Sequence, residues 1–184
     1  MTARVLIPLA QGCEELEAVT IIDLLRRASI EVITAGLDEQ AIHASRGTVL
    51  IADTTLDAVL NQAFDLIALP GGLPGADHLD NDPRIHALLK TMAENNKLIA
   101  AICAAPKVLA SAGLLDGKQA TSYPGVLENL NLKTTTLKQD AVVQDGNVIT
   151  SRGPGTAMDF ALHLIQLLAG DKTRCTVETG LARS

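Results

Sequence analysis

Leu98 to Gly113 reads LIAAICAAPKVLASAG, and the fold can be argued outward from it. Leu98 to Ile102 is an unbroken apolar run, the pattern of a strand buried on both faces. Ala104 to Ala112 then reads as a helix that stops at Gly113, a residue suited to the left-handed position after a helix. Cys103 stands at the junction. A sharp strand-to-helix turn pushes its central side chain above the sheet, as in a nucleophile elbow.

The same alternation runs in both directions. Arg4 to Leu9 (RVLIPL), Ile30 to Ala35 (IEVITA) and Asp65 to Leu69 (DLIAL) read as buried strands. Glu14 to Ala28 has helical spacing, and Pro83 to Asn96 reads as a helix with Asp82 as its cap and Pro83 at its first position. Ala41 to Ala52 is expected to be a hairpin turning near Arg46-Gly47, and Ala141 to Ser151 holds two short strands. Thr156 to Ala169 closes the core as a helix, Asn129 to Asp140 is the expected exposed excursion, and the tail from Asp171 to Ser184 carries no clear pattern. Repeated strand–helix units with continuous apolar strands predict an α/β fold, a mainly parallel sheet covered by helices on both faces. Ligands of such sheets bind beyond the carboxyl ends of the strands. Ala10 to Glu17, Pro70 to Gly75 and Ile102 to Pro106 are therefore the segments to inspect.

Composition narrows the function. The 184 residues fit one domain, 47% are apolar, and 15 Lys+Arg against 21 Asp+Glu leave a formal charge of −6. One Tyr, two Phe and no Trp offer little for stacking nucleic-acid bases, and the acidity disfavours phosphate-backbone binding. Cys13, Cys103 and Cys175 are too few and too scattered for a disulfide scaffold. No apolar run approaches the ~20 residues that span a bilayer, and with Pro8 followed by acids MTARVLIPLAQGCEELE is expected to be neither a signal peptide nor an anchor. A soluble cytoplasmic protein is the expectation.

Cys103 at a helix N-terminus would have its thiol pKa lowered by backbone N–H groups and the helix dipole. The competing reading is an inert core cysteine. On a helical wheel of Glu14 to Ala28, Glu17 falls inside the apolar arc of Ala18, Ile21, Ile22, Leu24, Leu25 and Ala28. A carboxyl there tends to stay protonated and can donate to a thiolate or exchange protons with a substrate, unless it reaches water or caps backbone donors. Glu14 also projects inward, but in the first turn an acid can cap or meet solvent. The glycines of Pro70-Gly71-Gly72-Leu73-Pro74-Gly75 let the backbone approach a ligand, and the Gly72 and Ala104 N–H groups can hold an oxyanion. Neither a dinucleotide fingerprint nor a phosphate P-loop is present. His43, His78, His86 and His163 form no metal-ligand pair, and none lies beside Cys103 in sequence as a base.

Taken together, GCEELEAVTIIDLLRRA, the SRG near residue 46, LPGGLPGA, AAICAAPKVLA and TSRGPGTAMDFAL resemble the ThiJ/PfpI superfamily, and within it the parkinsonism-associated deglycase branch. The resemblance implies a flavodoxin-like sandwich in a single domain over 1–184, paired as a homodimer. It places the reactive cysteine on Cys103, the protonated acid on Glu17 and the oxyanion donors on Gly72 and Ala104. Arg27 and Arg46 match arginines that approach the site near the family's dimer interface. Some members carry a His where this chain has Tyr123, and the protease-like branch has His after the cysteine where Ala104 stands. The implied activity is a cofactor-independent deglycase or glyoxalase acting on methylglyoxal, glyoxal or their early adducts, in defence against carbonyl and oxidative stress. The alternative is a redox-sensing chaperone with an oxidisable Cys103. A generic hydrolase, which needs a nearby His, ranks last.

Overall fold

Alternate residues of β1 (Arg4–Leu9) enter two different cores, Val5, Ile7 and Leu9 on one side and Leu6 on the other. A strand with both faces apolar has to lie between two layers of helices. The computed structural model, which describes residues 2–183, has that arrangement. After β1 come α1 (Glu15–Arg27), β2 (Glu31–Gly36), β3 (Ile42–His43), β4 (Val49–Leu50), β5 (Thr54–Thr55) and β6 (Leu66–Leu69). Then follow α2 (Gly75–Asn81), α3 (Pro83–Glu94), β7 (Leu98–Ile102), α4 (Pro106–Ser111), β8 (Gln119–Ala120) and β9 (Thr136–Leu137). β10 (Val142–Asp145), β11 (Val148–Ser151) and α5 (Ala157–Gly180) complete the chain.

Seven strands form the central sheet in the order β10-β11-β7-β6-β1-β2-β5. All neighbours are parallel except β10, which returns antiparallel on β11. The expected α/β architecture is therefore the observed one. On one face α1 and α5 meet over the sheet, with Ile21, Leu25, Phe160 and Leu164 fully buried. On the other, Ile85 and Leu89 of α3 and Val108 and Leu109 of α4 cover Ile67, Leu69 and Ile99. Burying each such side chain contributes about 1.5–3 kcal/mol.

The local signals act as the residues dictate. Asp82 accepts a hydrogen bond from the Arg84 N–H (2.9 Å) and Pro83 opens α3. The hairpin forms with β3 antiparallel to β4. The exposed stretch from Asn129 to Asp140 contains β9, which pairs in parallel with β8. Two elements differ from expectation. α2 follows directly on the glycine loop, held by the buried Ala76 and Leu79, a repeat too short to show a period. The tail is helical as well: α5 breaks at Gly170 (φ 82°) and resumes to Gly180. Among its described residues Val177 and Leu181 dock it on the core, while Arg183 pairs with Asp159 (2.6 Å). Two anchors in a polar segment leave no legible stripe. Among the described residues no helix is long and apolar enough to cross a membrane.

Candidate active site

The chain leaves β6 through Pro70-Gly71-Gly72 and leaves β7 at Ile102, so the glycine loop and Cys103 arrive at the same edge of the sheet. Cys103 adopts φ 63°, the left-handed region that costs an L-residue with a Cβ about 1–2 kcal/mol. The turn is held from both sides: the Cys103 N–H donates to Ser151 O (3.0 Å), and Cys103 O accepts from the Tyr123 N–H (2.9 Å). α4 begins only at Pro106, so the cysteine precedes the helix rather than occupying its first turn.

Glu17 enters from the first turn of α1 and is 0% exposed. Its Oε2 accepts the Gly71 N–H (2.9 Å), and its Oε1 is buried with no formed hydrogen bond. Gly71 is the hinge of the arrangement. A Cβ there would lie 2.7 Å from Cys103 Cβ, 2.8 Å from Glu17 Oε2 and 2.8 Å from Ile102 O, so any side chain would wedge the three apart. Gly72 is needed for conformation and for space. Its φ is 88°, and a Cβ would lie 2.3 Å from Glu14 N.

Burial pushes the Glu17 carboxyl up to about 7, against the pull of the Cys103 side chain and the Gly71 N–H. The expected lowering of the Cys103 thiol is overturned. Burial first, then the charge of Glu17 and its hydrogen bond, push the thiol up to about 12. The backbone N–H groups of Gly72 and Ala104 pull it down, as expected of them, but do not win. Cys103 is only 9% exposed and lies short of the helix end, so desolvation outweighs the dipole. The two acids are coupled: ionising one holds the proton on the other.

Above the sulfur is a cleft of about 330 Å³, lined by Glu14, Ser45, Arg46, Gly72, Leu73, Cys103, Ala104, Tyr123, Val126 and Pro154. Arg46 stands at its rim, 80% exposed, with Nε 4.0 Å from Glu14 Oε2. Glu15 fastens the hairpin to α1 by accepting the Arg46 and Thr48 N–H groups (3.0 and 3.3 Å). Desolvation alone would raise the Glu15 pKa, but these amides and its own hold it down to about 2. Arg27 is not brought to the cleft by this chain. It lies in the last turn of α1, paired with Asp23 (2.6 Å), ten residues or roughly 15 Å along the helix from Glu17.

Residue patterns missed part of the lining. Glu14, taken as a cap or a solvent-facing acid, is buried and accepts the Ser45 hydroxyl (2.7 Å). Its inward position on the wheel was the available signal. Val126 and Pro154 carried none, because loops remote in sequence bring them in. Among the described residues no histidine lines the cleft: His86 bonds Asp80 O (2.7 Å) and His163 bonds Gln144 (2.8 Å).

A mainly parallel α/β sheet with a cysteine on a left-handed elbow and a buried glutamate against it defines the class of protein. The chain belongs to the DJ-1/PfpI family, whose model matches residues 3–167. It is 43% identical over 182 residues to Protein dj-1beta of Drosophila melanogaster, covering 98% of this chain and 97% of that protein. The crystal structure of Drosophila melanogaster DJ-1beta superposes with a TM-score of 0.96 at 42% identity, over all of both chains. A Caenorhabditis elegans relative named glutathione-independent glyoxalase DJR-1.2 is 36% identical over 169 residues, 92% of this chain and 89% of that one. The family thus includes glyoxalase-type enzymes.

Proposed function

We propose that this protein is a cysteine-dependent glyoxalase or deglycase that converts methylglyoxal, glyoxal or their early adducts to hydroxy acids without a metal or nucleotide. The observation that carries the reading is the buried Glu17 carboxyl set against Cys103 across Gly71, at the floor of an open cleft. The named activity of the nematode relative supports it.

In the reactive form Glu17 holds the proton and Cys103 is the thiolate, faced by the Gly72 and Ala104 amides. The sulfur adds to the aldehyde carbon. The carbonyl π pair moves to oxygen, which takes the proton from Glu17, giving a hemithioacetal. Glu17, now a carboxylate, removes the hydrogen on that carbon as a proton and returns it to the neighbouring carbon through an enediol. This leaves a lactoyl thioester on Cys103. Water hydrolyses it, releasing lactate and a proton and restoring the thiol, so methylglyoxal and one water account for every atom. In an early adduct the aldehyde carbon already carries the amine or thiol; that C–N or C–S bond breaks first, the hydroxyl proton passing to the leaving group as the carbonyl re-forms, and the released 2-oxoaldehyde follows the same course. Purified protein should form lactate from methylglyoxal, and Cys103→Ala should abolish it. Lactate formation undiminished in that variant sinks the reading.

A second copy of the chain is the proposed partner. Leu16 and Val19 of α1 and Val49 and Ile51 of the hairpin are exposed on elements that Glu15 ties together. Apolar side chains gathered in this way mark an interaction surface.

A further inference from the structure

Glu14 is a buried acid that the chemistry above leaves unused. It stands at the N-cap of α1, where a side-chain oxygen ordinarily accepts a backbone N–H of the first turn, yet its side chain caps none. It lines the cleft above Cys103 instead. The backbone holds it there. The Glu14 N–H donates to Gly71 O (2.9 Å), and Glu14 O accepts the Ala18 N–H (3.0 Å), so the residue is pinned between the glycine loop and α1. That loop packs directly on the cysteine, since a Cβ on Gly71 would lie 2.7 Å from Cys103 Cβ. The side chain is held as well. Ser45 Oγ donates to Glu14 Oε2 (2.7 Å) and Arg46 Nε stands 4.0 Å from the same oxygen, while among the described residues no donor bonds Oε1. Burial raises the Glu17 carboxyl most, and the charge of Glu14 adds to it, so the two acids sense one another.

Hydrolysis of a thioester on Cys103 needs a base that water can reach. Glu17 is 0% exposed, and its Oε2 is occupied by the Gly71 N–H. The other polar side chains lining the cleft are a guanidinium and two hydroxyls, which accept no proton at neutral pH. Glu14 is the carboxylate on the wall of the cleft.

We infer that Glu14 is a second catalytic carboxyl of the reaction proposed above, the general base that delivers water to the lactoyl thioester on Cys103. Glu14 takes one proton from the water as the oxygen bonds to the thioester carbonyl carbon. The tetrahedral adduct collapses, the C–S bond breaks, and its electron pair leaves on sulfur as the thiolate. The carboxyl proton of the lactic acid passes to Glu17, which restores the starting pair, and Glu14 gives its proton to solvent. Glu17 thus serves the half-reaction that makes the thioester and Glu14 the half that removes it. Ser45 is a positioning residue that aims Glu14.

The test is Glu14→Gln. Lactate formation from methylglyoxal should fall about 10²–10⁴-fold, the scale of one general base. Lactoyl thioester should meanwhile accumulate on the Cys103 peptide, where hydroxylamine releases it as the hydroxamate. Loss of lactate formation with Cys103 left unacylated overturns the inference, because a merely structural role would slow both halves. A second arm needs no dicarbonyl. Cys103 is acetylated with 4-nitrophenyl acetate, the reagent is removed, and the acetyl group on the Cys103 peptide is followed by mass spectrometry. Its loss should be about 10²–10⁴-fold slower in Glu14→Gln than in wild type. Formate should speed the loss in Glu14→Ala by standing in for the missing carboxylate. Ser45→Ala, which keeps the carboxylate but not its anchor, should slow the loss several-fold and keeps the test readable should the Glu14 variants not fold. Inactivity of the wild-type protein on methylglyoxal would overturn the proposed reaction, while the acetyl arm still decides the role of Glu14. Unchanged acetyl loss in the variants that fold overturns the inference.

Discussion

Glu17 and Cys103 meet across Gly71, with Glu17 Oε2 and Cys103 Cβ 2.8 and 2.7 Å from the point where a Gly71 Cβ would sit. Glu17 is 0% and Cys103 9% exposed, so each senses the other's charge in a region of low dielectric. Glu17→Gln removes the charge that opposes the thiolate and keeps a neutral donor. The pH midpoint of Cys103 alkylation should therefore fall relative to wild type, and a rise would reverse the assignment of charge within the pair. Turnover should nevertheless drop about 10²–10⁴-fold, because Gln cannot carry the proton.

The same pair makes stability pH-dependent. The Glu17 pKa rises from its ordinary 4.5 to about 7 on folding, so the folded state binds the proton more tightly than the unfolded one. Its contribution is fully present below pH 4.5 and is lost as pH rises through 7, on the order of 3 kcal/mol. Urea denaturation at pH 4.5 and pH 8 should show wild type losing about that much more than Glu17→Gln over the interval. Equal losses would mean that the carboxyl is not shifted.

Gly71→Ala tests the close approach. The new methyl meets Cys103 Cβ, Glu17 Oε2 and the Ile102 carbonyl, one of them backbone that cannot swing aside. Destabilisation of about 1–3 kcal/mol is expected from overpacking, with loss of the coupled titration of Cys103. Thermal melts and the alkylation profile measure the two effects separately.

Arg27 offers the opposite case. Its pair with Asp23 is half exposed, so Arg27→Ala should cost less than about 1 kcal/mol. The alkylation profile of Cys103 in the monomer should not move. A shifted profile at protein concentrations where only monomer is present would show that Arg27 reaches the site within one chain.

The exposed apolar surface predicts association. Sedimentation should show a dimer for the wild type, and Leu16→Asp or Ile51→Asp should shift it to monomer. A monomeric wild type at micromolar concentration would remove the proposed partner.

By itself, the amino-acid sequence determined the layers and the two central residues. Buried parallel strands must be apolar on both faces, and an acid in an apolar helical arc is visible on a wheel, so β1, β7, the elbow at Cys103 and the inward Glu17 were legible. Local chemistry also marked the start of α3 at Asp82 and Pro83. The tertiary structure decided what those residues experience. The direction of the Cys103 shift depends on how much water the cleft admits and on the charge facing it, and neither is a property of a spacing. Within one chain the rise of α1 carries Arg27 away from the cleft, while Tyr123, Val126 and Pro154 arrive from loops whose meeting is set by packing alone. Short-range pattern specifies which face a side chain takes, and only the assembled fold specifies what stands opposite it.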